Sequence, residues 1–457
     1  MKLKRWTALV LAAVMSALWG CQAAKVASET DSAGNRQLAA AVYPEMAPYP
    51  DEMSYMDEKT GEFDQEGFSE AYDQWFSQKR ELAQLPEADG KALELFSQNS
   101  IRQFLAGTEN ENLVYSPVNL YLALAMLAET TAGKTRQQIL TALGTENMDE
   151  LRTHAGNIWK LCYCNDGATT SILANSLWLR DGMTYQEAVL KRLAEDYYAS
   201  VYSGEMGNAE YDKMLQDWLN EQTGGLLKEQ AEGIKMSPET VMALASTIYY
   251  KAKWQNEFDP EQTKEDTFYG KNETLTCDFM NSSDFAQYFW TETCSAVSLS
   301  LGEGGQMWLL LPDEGISPEE LFNYEENFEM IFSREMWENE RYLRVNLSLP
   351  KFDVASELNL RDGLKALGIQ EVWDENTADF TPLANPADGI YLSSASHAAR
   401  VKVDEKGVEA AAYTVMMAAG SAMPPDEEVD FVLNRPFLFV ITSSHRLPLF
   451  AGVVNQL

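Results

Sequence analysis

Glu405–Glu428, reading EKGVEAAAYTVMMAAGSAMPPDEE, separates two strand-like runs, Ala399–Val403 and Phe431–Ile441, by more than twenty residues. Hairpin loops close in about two to five residues, and long connections inside compact domains are usually functional or disordered. The first half of this one has the period of two that a strand needs: Val408, Ala410, Ala412, Thr414 and Met416 alternate with Glu409, Ala411, Tyr413, Val415 and Met417. The segment can therefore become a strand. Its second half, Ala418–Met423, is small and flexible, and Pro424, Pro425 and three acids keep the remainder extended and exposed. Such a tip invites proteolysis.

The residues around this segment resemble the serpins. Val403–Ala412 (VDEKGVEAAA) is similar to the serpin hinge, while Phe431–Phe437 (FVLNRPF) and Leu449–Asn455 (LFAGVVN) are similar to the family's C-terminal signature. Upstream, Val114–Leu120 (VYSPVNL), Ala174–Trp178 (ANSLW), Ile248–Trp254 (IYYKAKW), Leu349–Phe352 (LPKF) and Ala378–Phe380 (ADF) fall in the family's order over roughly residues 90 to 457. The resemblance implies one domain of three β-sheets and about nine helices with an exposed reactive-centre loop. Pattern alone supports the class α+β, because strands and helices alternate without a regular βαβ repeat.

Element signals run along the whole chain. Helical spacing covers Phe68–Leu82, Gly90–Leu105, Pro117–Ala128, Gln137–Leu143, Met148–Leu161, Glu187–Ala199 and Tyr211–Gln222. Strands are expected at Leu113–Tyr115, Thr170–Leu179 and Tyr342–Val354, and Thr240–Lys251 is apolar enough to be buried on both faces. Leu275–Leu311 reads as a meander with a turn at Asn281–Asp284.

The charge balance, 35 basic against 70 acidic residues, leaves −35. That excludes nucleic acid and anionic bilayers as expected partners, since no basic patch displaces their counterions. At the N-terminus, Lys2, Lys4 and Arg5 precede the apolar run Trp6–Trp19, which has the layout of a secretory signal over residues 1–20 and is short for a membrane span. Leu18–Cys21 (LWGC) resembles a bacterial lipobox in which Cys21 is acylated; the alternative is an ordinary signal with an incidental cysteine. The expected organisation is a signal at 1–20, a lipid-anchored tether with one short helix at 21–88, and a serpin domain at 89–457. Membrane contact is expected only through Cys21. The expected product is a secreted, monomeric, cell-surface lipoprotein.

Four further cysteines remain: Cys162, Cys164, Cys277 and Cys294. None has zinc-site spacing, and no metal or other cofactor is expected. Cys277 and Cys294 flank the expected turn and can face each other across a hairpin, or stay as free buried thiols.

No G-x-S-x-G, H-E-x-x-H or G-x-x-x-x-G-K-[ST] pattern occurs, and the three histidines, His154, His397 and His445, leave a catalytic triad few options. The chain is not expected to be an enzyme. The resemblance instead implies roles residue by residue. Glu405, Gly407, Val408, Glu409, Ala410, Ala411 and Ala412 correspond to the hinge. Ser116, Asn119, Ser246 and His397 correspond to the shutter beneath the point where the large sheet parts. Asn119 stands where the family commonly has serine and Ser246 where it commonly has asparagine, so a swap of hydrogen-bonding partners is expected; a histidine satisfied by any neighbour is the plainer alternative. Trp254 and Lys351 correspond to the breach at the top of the sheet, where Lys351 can pair with Glu405 for at most about 1 kcal/mol.

The resemblance further implies inhibition of serine proteases, or of cysteine proteases, as a suicide substrate. The target's nucleophile attacks the loop, an acyl-enzyme forms, and the segment from Val408 onward inserts into the large sheet. Counting from Glu405 and back from Asn434 at the spacing serpins share, the resemblance implies a reactive bond at Ser421–Ala422, with Gly420 or Ala422 before the bond as the alternatives if the hinge differs by one residue. A small residue before the bond suits elastase-like or subtilisin-like proteases. The alternative reading is a non-inhibitory serpin acting as a surface-anchored binding protein.

Overall fold

The computed structural model describes residues 34–57, 59–82, 87–105, 111–302, 305–332, 336–385, 389–408 and 427–457. The expected signal, Cys21, hinge positions Glu409, Ala410, Ala411 and Ala412, and the bond Ser421–Ala422 lie outside the described residues.

Two hydrogen-bonded sheets carry the fold. The large one has eight strands, in the order Arg36–Ala39, Ala199–Gly204, Thr170–Arg180, Met242–Lys253, Gly407–Val408, Leu392–Asp404 and Phe352–Asn359, with Cys164–Asn165 paired to Thr170–Arg180. Met242–Lys253 is the strand expected from the long apolar run, and its first seven residues are all buried. The second sheet has nine strands. Where three sheets are expected, hydrogen bonding joins the two smaller ones through Thr274–Trp290, a 17-residue strand that pairs with Lys264–Tyr269, Glu340–Pro350 and Cys294–Ser300. Asn281–Asp284, expected as a turn, therefore sits inside a strand. Its polar side chains find sheet partners, Ser283 Oγ donating to Asn346 Oδ1 at 2.8 Å. All four cysteines outside the N-terminal segment are free; Cys277 and Cys294 lie on separate strands of one sheet, and Cys162 ends a helix.

Ten α-helices are assigned among the described residues. Pro117–Thr130 is the central one, and every residue in it is buried. A helix that is apolar all round belongs in a core, and this one runs under the large sheet from an N-cap at Ser116, whose hydroxyl accepts from Asn119 N–H.

The expected tether is corrected over residues 36–57. Arg36–Ala39 adds an edge strand to the large sheet, antiparallel to Ala199–Gly204. Tyr43 stacks on Trp159 at 5.7 Å, and Tyr49 N–H donates to Asp166 O at 2.8 Å. The helix Gln65–Leu82 then docks through Trp75, buried and donating from Nε1 to Asp166 Oδ2 at 3.1 Å. Prolines and polar residues hide this from a local window, because each anchor's partner is about a hundred residues or more away in sequence.

Candidate functional site

The centre of the large sheet is a pair of parallel strands that meet at one end and part at the other. Met242–Lys253 and Leu392–Asp404 pair directly from Met242 and Leu392 up to Thr247 and Ala398. At the opposite end Gly407–Val408 lies between them, antiparallel to both: Val408 faces Val403 and Ala252, and Gly407 faces Asp404 and Lys253. Between these two zones, Ile248–Lys251 and Ala399–Lys402 pair outward, with Thr170–Arg180 and Phe352–Asn359 respectively. Among the described residues nothing pairs with their facing edges. The result is a cleft four residues long on each side, bounded below by a closed sheet and above by two residues of the segment that follows Glu405.

Glycine is required at the top of this cleft. Gly407 has φ of 152°, and a Cβ there would collide with the Ala252 carbonyl oxygen and lie 2.7 Å from Lys253 Cα. Backbone passes backbone there without room for a side chain.

Trp254 fixes the turn that delivers Gly407. It is buried, its Nε1 donates to Asp404 O at 2.8 Å, and its backbone N–H donates to Lys406 O at 3.1 Å. Beside it, Lys351 Nζ lies 3.3 Å from Glu405 Oε1 and 3.5 Å from Asp278 Oδ2. Burial opposes ionisation of Glu405. Hydrogen bonds from its own N–H, from Thr263 Oγ1 at 2.9 Å and from Lys351 outweigh that, and the carboxyl is held below its usual range.

Beneath the closed end lies a polar cluster in an otherwise apolar core. His397 is fully buried and faces Ser246 in register. Its Nε2 accepts the Ser116 backbone N–H at 2.9 Å, so the ring proton belongs on Nδ1, which lies 3.2 Å from Ser246 Oγ. Burial pushes the imidazole pKa down to about 4. Asn119 Nδ2 donates to Ser246 Oγ at 2.9 Å and to Thr247 O at 2.6 Å, and Asn119 Oδ1 accepts from Asn175 Nδ2 at 3.1 Å. Asn119 and Ser246 are thus direct partners. Asn175, Thr263 and Asp278 join the site only in the tertiary structure. A buried asparagine within the apolar run Thr170–Leu179 was the available signal for the first; the other two had none.

A family model described as Serpin (serine protease inhibitor) matches residues 91–457. The chain belongs to the serpin family. Curated relatives include serpin-Z1C of Triticum aestivum, 30% identical over 364 residues, covering 76% of this chain and 90% of that protein. Alpha-1-antitrypsin 1-3 of Mus musculus is 29% identical over 372 residues, 79% of this chain and 87% of that one. Among solved structures, the native state of the thermophilic serpin tengpin matches with a TM-score of 0.73 at 25% identity, over 82% of this chain and 95% of that chain. In this serpin the parted strands, the buried cluster below them and the turn at Glu405 form one continuous unit.

Proposed function

We propose that this serpin inhibits serine proteases, or cysteine proteases, by taking its cleaved loop into the cleft as a new strand. The register of the cleft carries the reading. Continuing down from Val408, position 410 falls opposite Val401 and Tyr250, position 412 opposite Ala399 and Ile248, and position 414 opposite His397 and Ser246. His397 and Ser246 are themselves register partners, so one register runs through both the parted and the closed halves. An entering strand need not slip.

The chemistry along that register also supports insertion. Ala410, Ala412 and Thr414 would join a face whose flanking residues are buried, and none brings a charge into it. On the other face, Glu409 would stand between Lys251 and Lys402. New ladder bonds over roughly a dozen residues, at a net ~1 kcal/mol each, supply a driving force on the order of 10 kcal/mol.

Incubation with a panel of elastase-like and subtilisin-like proteases, followed by denaturing gels, tests the proposal. A gel-stable adduct is expected. Cleavage without any adduct would leave the non-inhibitory, surface-anchored binding protein as the reading. The proposal includes secretion and acylation at Cys21, checked by detergent-phase partition of the wild type against Cys21→Ser.

A further inference from the structure

The helix Gln65–Leu82, the turn after Met148–Cys162 and the ends of the interior strands Thr170–Arg180 and Met242–Lys253 flank a cavity of about 260 Å³ outside the cleft. Its walls combine three features. Met46, Phe76 and Leu161 give it an apolar side. Lys79, Arg80 and Lys160 bring three cations to it in a chain whose net charge is −35. Thr169 and Ser171, 5% and 2% exposed, are among its lining residues, and their buried hydroxyls have no hydrogen-bond partner among the described residues.

Buried hydroxyls without partners are rare and call for an explanation. In an acidic protein, three cations converging on one cavity make a local positive potential that selects anions. Lys79 is partly committed, 3.5 Å from Asp166 and 4.4 Å above the Trp75 ring. Arg80, stacked over Phe76 at 5.1 Å, and the exposed Lys160 carry the remaining charge. Ser171 and Tyr250 face each other across the strand ladder, so the cavity floor is hydrogen-bonded sheet.

We infer that this cavity binds a small amphipathic anion, an alkyl or aryl carboxylate whose head group meets Arg80 and Lys160 and the hydroxyls of Thr169 and Ser171 while its apolar body lies against Met46, Phe76 and Leu161. Pockets for drug-sized ligands are larger, so the body is one ring or a short alkyl chain. The site is independent of the inhibitory reading.

Isothermal titration of the full chain with octanoate, octanol, octylamine and inorganic phosphate tests it. Octanoate is expected to bind at least tenfold tighter than octanol or phosphate, with octylamine weakest, and to raise the melting temperature. Arg80→Gln combined with Lys160→Gln should cost octanoate about tenfold and leave octanol unchanged, and Ser171→Val should weaken octanoate in an otherwise normally melting protein. Equal binding of octanoate and octanol, phosphate binding as tightly as octanoate, an unchanged affinity in the double variant, or no octanoate binding up to millimolar concentration would each overturn the assignment.

Discussion

His397 and Ser246 are register partners on adjacent parallel strands, and Nδ1 of the one lies 3.2 Å from Oγ of the other. They stand two rungs below the cleft, beneath the Thr247–Ala398 pair. Whatever opens the sheet further must break this contact, and Asn119, bonded to Ser246 Oγ and Thr247 O, holds the same rung from below.

Asn119→Ala is expected to destabilise the protein more than Ser246→Ala. The first leaves the Thr247 carbonyl, the Ser246 hydroxyl and the Asn175 amide short of a partner, at roughly 1–3 kcal/mol for each buried group stranded. Urea unfolding midpoints of both variants check this. Equal losses would mean that Asn119 is not the hub.

Stability should fall with acid through His397. Burial holds the folded imidazole near a pKa of about 4, against 6.5 unfolded, so the unfolded chain takes up the proton first. The stabilisation is complete above pH 6.5, declines as pH drops toward 4 and levels off below that. At ~1.4 kcal/mol per pKa unit the loss is on the order of 3 kcal/mol. Urea midpoints measured from pH 7 to 4 should show this slope in the wild type and a flatter one in His397→Gln; parallel profiles would assign the acid response elsewhere.

Gly407→Ala should unseat the two-residue strand, because the added methyl meets the Ala252 carbonyl and Lys253 Cα. The expected result is faster amide exchange at Val408 and a shift from protease adduct toward plain cleavage. Unchanged exchange would show that the backbone shifts to make room.

The reactive bond is expected at Ser421–Ala422. Mass spectrometry of the peptide released from an adduct should find a new N-terminus at Ala422. A start beyond Pro424 or before Ala418 would rule the assignment out, and the absence of Lys or Arg between Val408 and Glu428 predicts little reaction with trypsin-like proteases.

Local pattern is enough for much of this molecule, because period, burial and turn chemistry act over a few residues. The apolar run at Thr240–Lys251 announces the strand Met242–Lys253, and Pro117 after Ser116 announces the capped helix Pro117–Thr130. The alternation after Gly407 shows that the loop can serve as a strand. Family likeness paired Asn119 with Ser246 and Lys351 with Glu405, which stand at 2.9 Å and 3.3 Å. Distance along the chain is what hides the rest. Arg36–Ala39 becomes an edge strand only because Ala199–Gly204 offers a free edge more than 160 residues later. Asn281–Asp284 stays extended because Asn346 and its neighbours pair with it. That the sheet parts above Thr247 and Ala398, with two residues already seated, follows from how three distant segments meet, and no local propensity encodes that meeting.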